Sequence, residues 1–425
     1  MVLLKDIKEG MMELWRKTFH DSNSYIDLIF DYYFNEDYIA WHEENGKIVS
    51  ALLGIPYSFG YGKAKLNGLY LLGLATDQKY RHRGLMSDLL KEINERAAQD
   101  FDFTFLIPAS DLNADYYRRR GYFNSFFRLE ERFTSIHDFE NDFNVSLYGS
   151  DERISLLKKR LFQKLTSEIY EDSLEFKDKI IDFILQQEKK PGSSASLCHT
   201  REDLEATLKE SLINDSKIFL CLDDDKNITG LAFVRKSDIR RIELPVVYFE
   251  DKCTYYALLK EIKKAFPDYS MSVFINSEYY ASPAIIDEIY GAENPQGGQL
   301  ETLFGILETQ FDITKLMEPY GMVRLLRFDS IMEYIAETRK EANFKLYIRD
   351  LNQDSSGQKT ILVVKNGKMV KETTSKETLD KSVLNLSVKE ISELLLRKKD
   401  SHSLIMEAFG IPRLILEMKL IPRLR

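Results

Sequence analysis

The stretch from Leu72 to Ala97 constrains this chain more than any other. An apolar run ending near Thr76 gives way to a polar, basic turn, Asp77-Gln78-Lys79-Tyr80-Arg81-His82-Arg83, and then to Gly84. After Gly84, residues Leu85, Met86, Leu89, Leu90, Ile93 and Ala97 fall on one face at helical spacing. The apolar run before the turn, Leu69 to Thr76, has the length of a buried strand, and Phe103-Thr104-Phe105-Leu106-Ile107 reads as the next one. Strand, helix and strand in that order predict a βαβ unit. The N–H groups at the start of its helix have no intrahelical partners and sit at the positive end of the helix dipole, so they form a ready site for a pyrophosphate. Gly84 removes a side chain where backbone and ligand must approach, and Lys79, Arg81 and Arg83 concentrate positive charge there.

The elements around this unit follow from the same patterns. Met11 to Phe19 and Tyr25 to Phe34 are apolar at helical spacing. Tyr38 to His42 and Ile48 to Ile55 read as strands joined by a hairpin turn at Glu44-Asn45-Gly46-Lys47. A short helix is expected over Tyr116 to Arg120, stopped by Gly121. The middle of the chain repeats the plan: strands Lys217 to Leu222 and Ile228 to Val234 around an Asp-rich turn, a strand Glu243 to Phe249, then a helix from Tyr255 to Phe266. No Arg-x-x-Gly-x-small signal lies in that repeat, so a structural copy without a cofactor site is expected. A third region starts near Tyr320-Gly321-Met322-Val323-Arg324. It continues with a helix (Ser330 to Thr338), strands Asn343 to Arg349 and Lys359 to Lys365, and an Asn366-Gly367 hairpin turn. A last helix follows, capped by Ser387 with Glu390 at the capping-box position. Turn-rich stretches at 189–194 and 294–298 are the candidate linkers.

With 425 residues the chain is too long for one ordinary core. Its composition, 44% apolar and 30% charged, is that of a globular protein. A net charge of -9 argues against nucleic acid as a partner and suits a cationic or amine-bearing substrate. Cys198, Cys221 and Cys253 show neither a disulfide framework nor metal-ligand spacing and read as small hydrophobes. The six histidines show no metal spacing either, so no metal is expected. Met1 to Gly10 has no apolar signal core and no run approaches about 18 apolar residues, so no membrane span and a cytoplasmic location are expected.

The segment Arg81-His82-Arg83-Gly84-Leu85-Met86 resembles the coenzyme A motif of the GNAT acyltransferases, Arg/Gln-x-x-Gly-x-Gly/Ala, with Met86 in place of the usual small residue. Downstream, Tyr117, Gly121 and Tyr122 resemble the Tyr-x-x-x-Gly-Tyr/Phe pattern of the same enzymes, in which the Tyr hydroxyl reaches the coenzyme A sulfur. With both motifs in place, the whole chain resembles the enhanced intracellular survival (Eis) family of bacterial acetyltransferases. The resemblance implies an α+β (α/β mixed) fold: an N-terminal GNAT domain over 1–150, a degenerate GNAT-like domain over 151–310, and a sterol-carrier-protein-like domain over 311–425. It also implies acetyl-CoA as co-substrate and a homo-oligomer, a hexamer.

Residue roles follow from that resemblance. Leu74, Ala75 and Thr76 would offer backbone groups to the pantetheine arm. His82, Arg83, Gly84, Leu85, Met86 and Ser87, with Arg81 beside them, would hold the pyrophosphate. Ser110 and Asp111 would lie at the cofactor's reactive end. Tyr117 would be the general acid, since a phenol is protonated at neutral pH. The terminal carboxylate, here that of Arg425, would be the general base, although relatives commonly end in aromatic residues and this chain ends Leu420-Ile421-Pro422-Arg423-Leu424-Arg425. Family substrates include aminoglycoside amines and lysine side chains, which an acidic pocket would suit. Asp27, Asp31, Glu36 and Asp37 are the candidate acids, and a solvated helix face or cap is the competing reading of each. Two other functions stand beside the N-acetyltransferase: a non-catalytic binding protein using the third region for an apolar ligand or partner, and an assembly role.

Overall fold

The computed structural model describes residues 4–139, 161–165, 174–190, 195–213, 216–275, 306–309, 313–351, 358–375, 378–396, 414 and 416–418. The turn-rich stretch 294–298 and most of 189–194 lie outside these residues, as does Arg425.

Two helices open the chain, α1 (Leu4–Phe19) and α2 (Asn23–Tyr33). Ser22 caps α2 by accepting from the Tyr25 amide at 3.2 Å. Strands β1 (Ile39–Glu44), β2 (Lys47–Tyr61) and β3 (Ala64–Thr76) form an antiparallel meander. β2 and β3 run further than the apolar runs predict, because Ser58, Asn67 and Lys65 take outward positions on strands whose other face is core. Then follow α3 (Leu85–Ala97), β4 (Phe103–Leu106), α4 (Asp111–Arg118) and β5 (Phe123–Phe133). β3 and β4 are parallel, as the βαβ pattern predicts. The helix expected over 116–120 begins at Asp111 and ends at Arg118, because Ser110 caps it by accepting from the Asn113 amide at 3.3 Å.

The second part contains β6 (Leu161–Leu165), α5 (Leu174–Glu188), β7 (Ala195–Cys198) and α6 (Arg201–Ile213). The predicted repeat follows as β8 (Lys217–Leu222), β9 (Ile228–Asp238), β10 (Arg241–Phe249) and α7 (Lys252–Ala265), and a further strand, β11 (Ser270–Ile275), which the sequence patterns do not mark, completes it. β8, β9 and β10 are an antiparallel meander, and β10 pairs parallel with β11 across α7. This is the order of β1, β2, β3, α3 and β4 again.

The last part holds β12 (Ile306–Thr309), β13 (Ile313–Leu325), α8 (Phe328–Thr338), β14 (Phe344–Ile348), β15 (Lys359–Lys365), β16 (Lys368–Thr374), β17 (Val383–Leu386), α9 (Val388–Leu396) and β18 (Leu416–Glu417). Asn45-Gly46 and Asn366-Gly367 turn as predicted, all four at positive φ. Ser387 and Glu390 close the predicted capping box: Glu390 accepts from the Ser387 amide at 2.7 Å, and Ser387 Oγ accepts from the Glu390 amide at 3.2 Å.

Among the described residues, one 14-stranded sheet runs β18-β7-β2-β3-β4-β13-β5-β11-β10-β9-β8-β6, with β1 on β2 and β12 on β13. A four-stranded sheet, β16-β15-β14-β17, stands apart. β13 lies between β4 and β5, antiparallel to both. The segment that opens the third region therefore completes the first sheet. One continuous core joins α1, α2, β2, β3, α8, α9 and the four-stranded sheet. A separate cluster packs α3 and α4 on the other face of the first sheet, with Leu89, Leu90 and Ile93 almost fully buried. Each such side chain contributes about 1.5–3 kcal/mol of burial, which anchors α3 in place beneath its exposed start.

Candidate active site

The first sheet opens where the motifs lie. β3 and β4 are in register only over Gly68↔Phe103, Leu69↔Thr104 and Tyr70↔Phe105. β4 then stays with β13, through Leu106↔Met322, while β3 runs on to Thr76. From Leu71 onward β3 has no partner strand on its β4 side among the described residues. The resulting groove is flanked by the end of β3, the start of α3 and the helix α4 that follows β4.

A bulge shapes the β3 edge. Ala51 pairs with Ala75 and Leu53 with Leu72, so β3 spends one residue more than β2. Gly73 absorbs it at φ 63°. This bulge reorients Leu74 beside the groove, and Ala75 and Thr76 are held by Ser50, whose Oγ donates to Ala75 O at 3.2 Å and lies 2.9 Å from Thr76 Oγ1.

The basic turn is less available than its composition suggests. Arg81 Nε donates back to Thr76 O at 3.1 Å, closing the turn. Arg83 forms a two-pronged ion pair with Glu44, at 3.1 Å and 2.5 Å, and this bond raises the Arg83 pKa. Glu44 comes from the hairpin before β2, a partner that local spacing does not reveal. Asp77 pairs with Lys17 at 2.5 Å and accepts from the Lys79 amide, and both hold its carboxyl below the usual range. His82 is exposed at φ 63°.

Gly84 is the N-cap of α3, at φ 84° and ψ -7°, and makes no side-chain cap bond. A Cβ on it would meet nothing within 4 Å. Gly84 O accepts from the Ser87 and Asp88 amides at 2.8 Å and 3.1 Å, which leaves the Leu85 and Met86 amides without an intrahelical acceptor. The equivalent helix of the repeat differs. Asp251 caps α7, its Oδ1 accepting from the Thr254 amide at 2.8 Å and from Thr254 Oγ1 at 3.0 Å. There a carboxylate already occupies the positive end of the helix.

Ser110 and Asp111 sit exposed at the start of α4. Tyr117 lies near its end, 9% exposed, with ring contacts to Tyr116 (5.4 Å) and Tyr122 (6.0 Å). Its hydroxyl has no hydrogen-bond partner among the described residues. Burial, then the neighbouring Tyr122 and Tyr116, push its pKa well up, against the lowering effect of Arg120. Tyr117 is therefore a neutral phenol throughout the physiological range.

Two side-chain bridges cross from α3 to the far side of the groove, and the motifs did not mark either. The buried one joins Asn94, Thr104 and Tyr122: Thr104 Oγ1 donates to Asn94 Oδ1 at 2.5 Å, and Asn94 Nδ2 donates to Tyr122 Oη at 3.2 Å. The outer one joins Ser87, Tyr116 and Arg120. Arg120 Nη2 donates to Ser87 Oγ at 2.5 Å, Nη1 donates to Tyr116 O at 2.7 Å, and Ser87 Oγ lies 3.1 Å from Tyr116 Oη. Ser87 thus turns towards α4. The one sequence signal for the buried bridge is Asn94 itself, a polar residue on the apolar face of α3 between Leu90 and Ala97.

Residues 4–123 match the family described as acetyltransferase (GNAT) domain. They form a GNAT acetyltransferase domain. The split between β3 and β4, the β3 bulge and the open start of α3 all fall inside this GNAT domain. The fold of the whole chain is similar to three solved structures. One is a conserved protein of unknown function from Enterococcus faecalis V583 (TM-score 0.64, 13% identity, 96% of this chain and 91% of that one). Another is a GCN5-related N-acetyltransferase from Anabaena variabilis ATCC 29413 (TM-score 0.61, 13% identity, 98% and 97%). The third is Eis1 from Mycobacterium abscessus (TM-score 0.59, 11% identity, 96% and 92%). No curated protein sequence matches the chain. At these identities the likeness is one of fold.

The candidate acids are engaged at the surface. Asp27 pairs with Arg16 at 3.4 Å and Asp31 with Lys8 at 3.0 Å. Glu36 and Asp37 form an exposed 3-10 turn capped by Asn35. Asp31 also lines an open cleft of about 550 Å³ between α2 and α6, with Tyr32, Arg201, Glu202 and Glu205. Among the described residues, no group of three His, Cys, Asp or Glu side chains has the placement to hold a metal ion, and no helix is long and apolar enough to cross a membrane.

Proposed function

We propose that this chain is an acetyl-CoA-dependent N-acetyltransferase acting on amines, of the aminoglycoside or lysine side-chain class. The observation that carries the reading is the start of α3. A left-handed glycine without a side-chain cap leaves two amides open at the positive end of a firmly anchored helix. That is the arrangement a diphosphate needs.

On this reading Leu85 and Met86 bind the pyrophosphate through their amides beside Gly84, with Arg81, His82, Arg83 and Ser87 around them. The free β3 edge at Leu74, Ala75 and Thr76 takes the amide groups of the pantetheine arm, as an added strand would. Ser110 and Asp111 flank the reacting end. The acceptor amine, once deprotonated, attacks the thioester carbonyl; the new C–N bond forms as the C–S bond breaks, and Tyr117 gives its phenolic proton to the sulfur. The ammonium proton goes to the terminal carboxylate of Arg425, a role that rests on the family resemblance alone. The division into 1–150, 151–310 and 311–425, a sterol-carrier-protein-like last domain and a hexameric assembly belong to the same reading.

A second reading, a binding protein for an apolar ligand or a partner, has one candidate place, a cleft of about 430 Å³ beside α8. Its exposed lining is more polar than apolar, with Arg327, Asp329, Thr360 and Lys371 beside Leu326 and Phe328, which suits a partner better than an apolar ligand. Thiol release separates the two. Acetyl-CoA with polyamines, aminoglycosides and lysine peptides is expected to yield free coenzyme A above background. No release from any of them would leave only the binding role. Removal of Leu424 and Arg425 tests the terminal carboxylate in the same assay, and unchanged turnover would exclude it.

A further inference from the structure

The backbone stops joining the two walls of the groove at Tyr70↔Phe105, yet the walls must hold a fixed spacing if groups on each are to act on one molecule. Near the groove mouth, among the described residues, that task falls to the outer bridge, in which Arg120 contacts both Ser87 and Tyr116. We infer that Arg120 is a positioning residue: its guanidinium clamps α4 to the start of α3 and thereby sets the distance from the diphosphate site to the Tyr117 hydroxyl. This inference rests on the acetyltransferase reading above.

Five contacts converge on Arg120. Its two terminal nitrogens reach different elements, Ser87 Oγ on α3 and Tyr116 O on α4. Its guanidinium carbon lies 3.5 Å from the centre of the Tyr116 ring, a stacked cation–π contact. Tyr116 Oη returns to Ser87 Oγ, closing a three-membered network. From the opposite side, Arg324 on β13 donates to the Arg120 carbonyl, and the Arg120 amide donates to Tyr117 O at 2.8 Å. Tyr117 is thus held by its neighbours on both sides in sequence, Tyr116 through the clamp and Arg120 through the turn. Its own hydroxyl has no hydrogen-bond partner among the described residues.

Lysine would not reproduce this geometry. A planar guanidinium donates in two directions while stacked, whereas an ammonium on a flexible stem satisfies one acceptor at a time. The Arg120 charge also opposes the burial that raises the Tyr117 pKa. A merely structural surface arginine would lower stability without separating kcat from KM.

The test compares the wild-type chain with Arg120→Met, Arg120→Lys, Tyr117→Phe and the double variant Arg120→Met/Tyr117→Phe. Two independent measurements are made. Amide hydrogen exchange without ligand is expected to rise at Asp111–Arg118 by about tenfold in Arg120→Met, with a smaller rise in Arg120→Lys. Unchanged exchange there overturns the clamp whether or not the chain is an acetyltransferase. In steady-state kinetics, kcat is expected to fall about 10- to 100-fold in Arg120→Met with KM for acetyl-CoA changed by less than about threefold. Arg120→Lys should recover part of kcat, and the double variant should be no slower than Tyr117→Phe by more than about threefold. A loss confined to KM, or losses that multiply in the double variant, would make Arg120 a phosphate ligand or an independent group and overturn the inference. Failure of the wild type to bind coenzyme A by calorimetry would instead sink the acetyltransferase reading, while the exchange result still decides the clamp.

Discussion

The indole of Trp15 lies directly over Gly73. A Cβ at residue 73 would sit 2.2 Å from Trp15 Cζ3, and the residue holds φ 63° at the β3 bulge. Trp15 is itself pinned, by its Nε1 bond to Asp21 at 2.8 Å and by edge contacts with Phe19 and Phe30. Gly73→Ala is therefore expected to destabilise the chain by about 2–4 kcal/mol, combining left-handed strain with overpacking. Urea denaturation measures it, and a change below about 0.5 kcal/mol would show that Trp15 moves aside freely.

The contrast between Gly84 and Asp251 gives a sharper test of the ligand site. Gly84→Asp would place a carboxylate at the start of α3, as Asp251 does at α7, but from a left-handed backbone (φ 84°) where Asp251 is extended (φ -150°), so the charge is copied and the cap geometry is not. Left-handed strain should cost about 1 kcal/mol of stability, while affinity for coenzyme A by calorimetry, measured on the folded variant, should fall at least about tenfold as carboxylate meets diphosphate. Undiminished affinity would place the diphosphate elsewhere.

Tyr117→Phe removes the phenolic proton and little else. The expected loss is about 10²- to 10⁴-fold in kcat, with a small change in KM. The pH profile carries a sign. The acid must be protonated to act, and burial raises its pKa above the ordinary value near ~10. Titration of Tyr117 should then remove no activity between pH 7 and about 10; a basic limb below about pH 9 that vanishes in Tyr117→Phe would contradict its assignment as a buried donor.

The network of Asn94, Thr104 and Tyr122 is closed and buried, with Tyr122 fully covered. Tyr122→Phe keeps the ring and deletes the hydroxyl. The expected cost is about 1–2 kcal/mol, read as a lower Tm, because a buried amide loses a partner. An unchanged Tm would mean that water replaces the hydroxyl.

Burial also sets the alkaline limit of the fold. Tyr25, Tyr33 and Tyr57 all have raised pKa values, in each case first through desolvation. Unfolded, these phenols ionise near ~10, so above that pH the unfolded state binds fewer protons than the folded one and stability falls as pH rises. Tm should decline steeply above about pH 10, and Tyr57→Phe should flatten that decline. A pH-independent Tm up to about 11 would refute it.

Much of the site was legible because it is local. The run Thr76 to Leu90 is one strand end, one turn and one helix start, and the identities of Gly84 and of the residues after it state the geometry without help from distant chain. The capping box at Ser387 and Glu390 and the two Asn-Gly turns were legible for the same reason. The beginning of α4 is not legible, because Ser110 reads as a loop residue and only the structure shows its hydroxyl accepting from the Asn113 amide. The resemblance assigns Arg83 to the pyrophosphate, and nothing local marks its ion pair with Glu44, 39 positions away.

The residue types by themselves determined much of the alternation of strands and helices, the unit built around Gly84 and the strand-then-helix repeat at β10 and α7. Tertiary structure alone decided that β13 enters the first sheet between β4 and β5, that Arg324 reaches the turn after α4, and that Arg120 spans the gap where β3 and β4 part. Periodicity and capping act over a few residues, so they are written in the local sequence. Strand order and cross-groove contacts depend on which distant surfaces bury one another, and no local spacing encodes that.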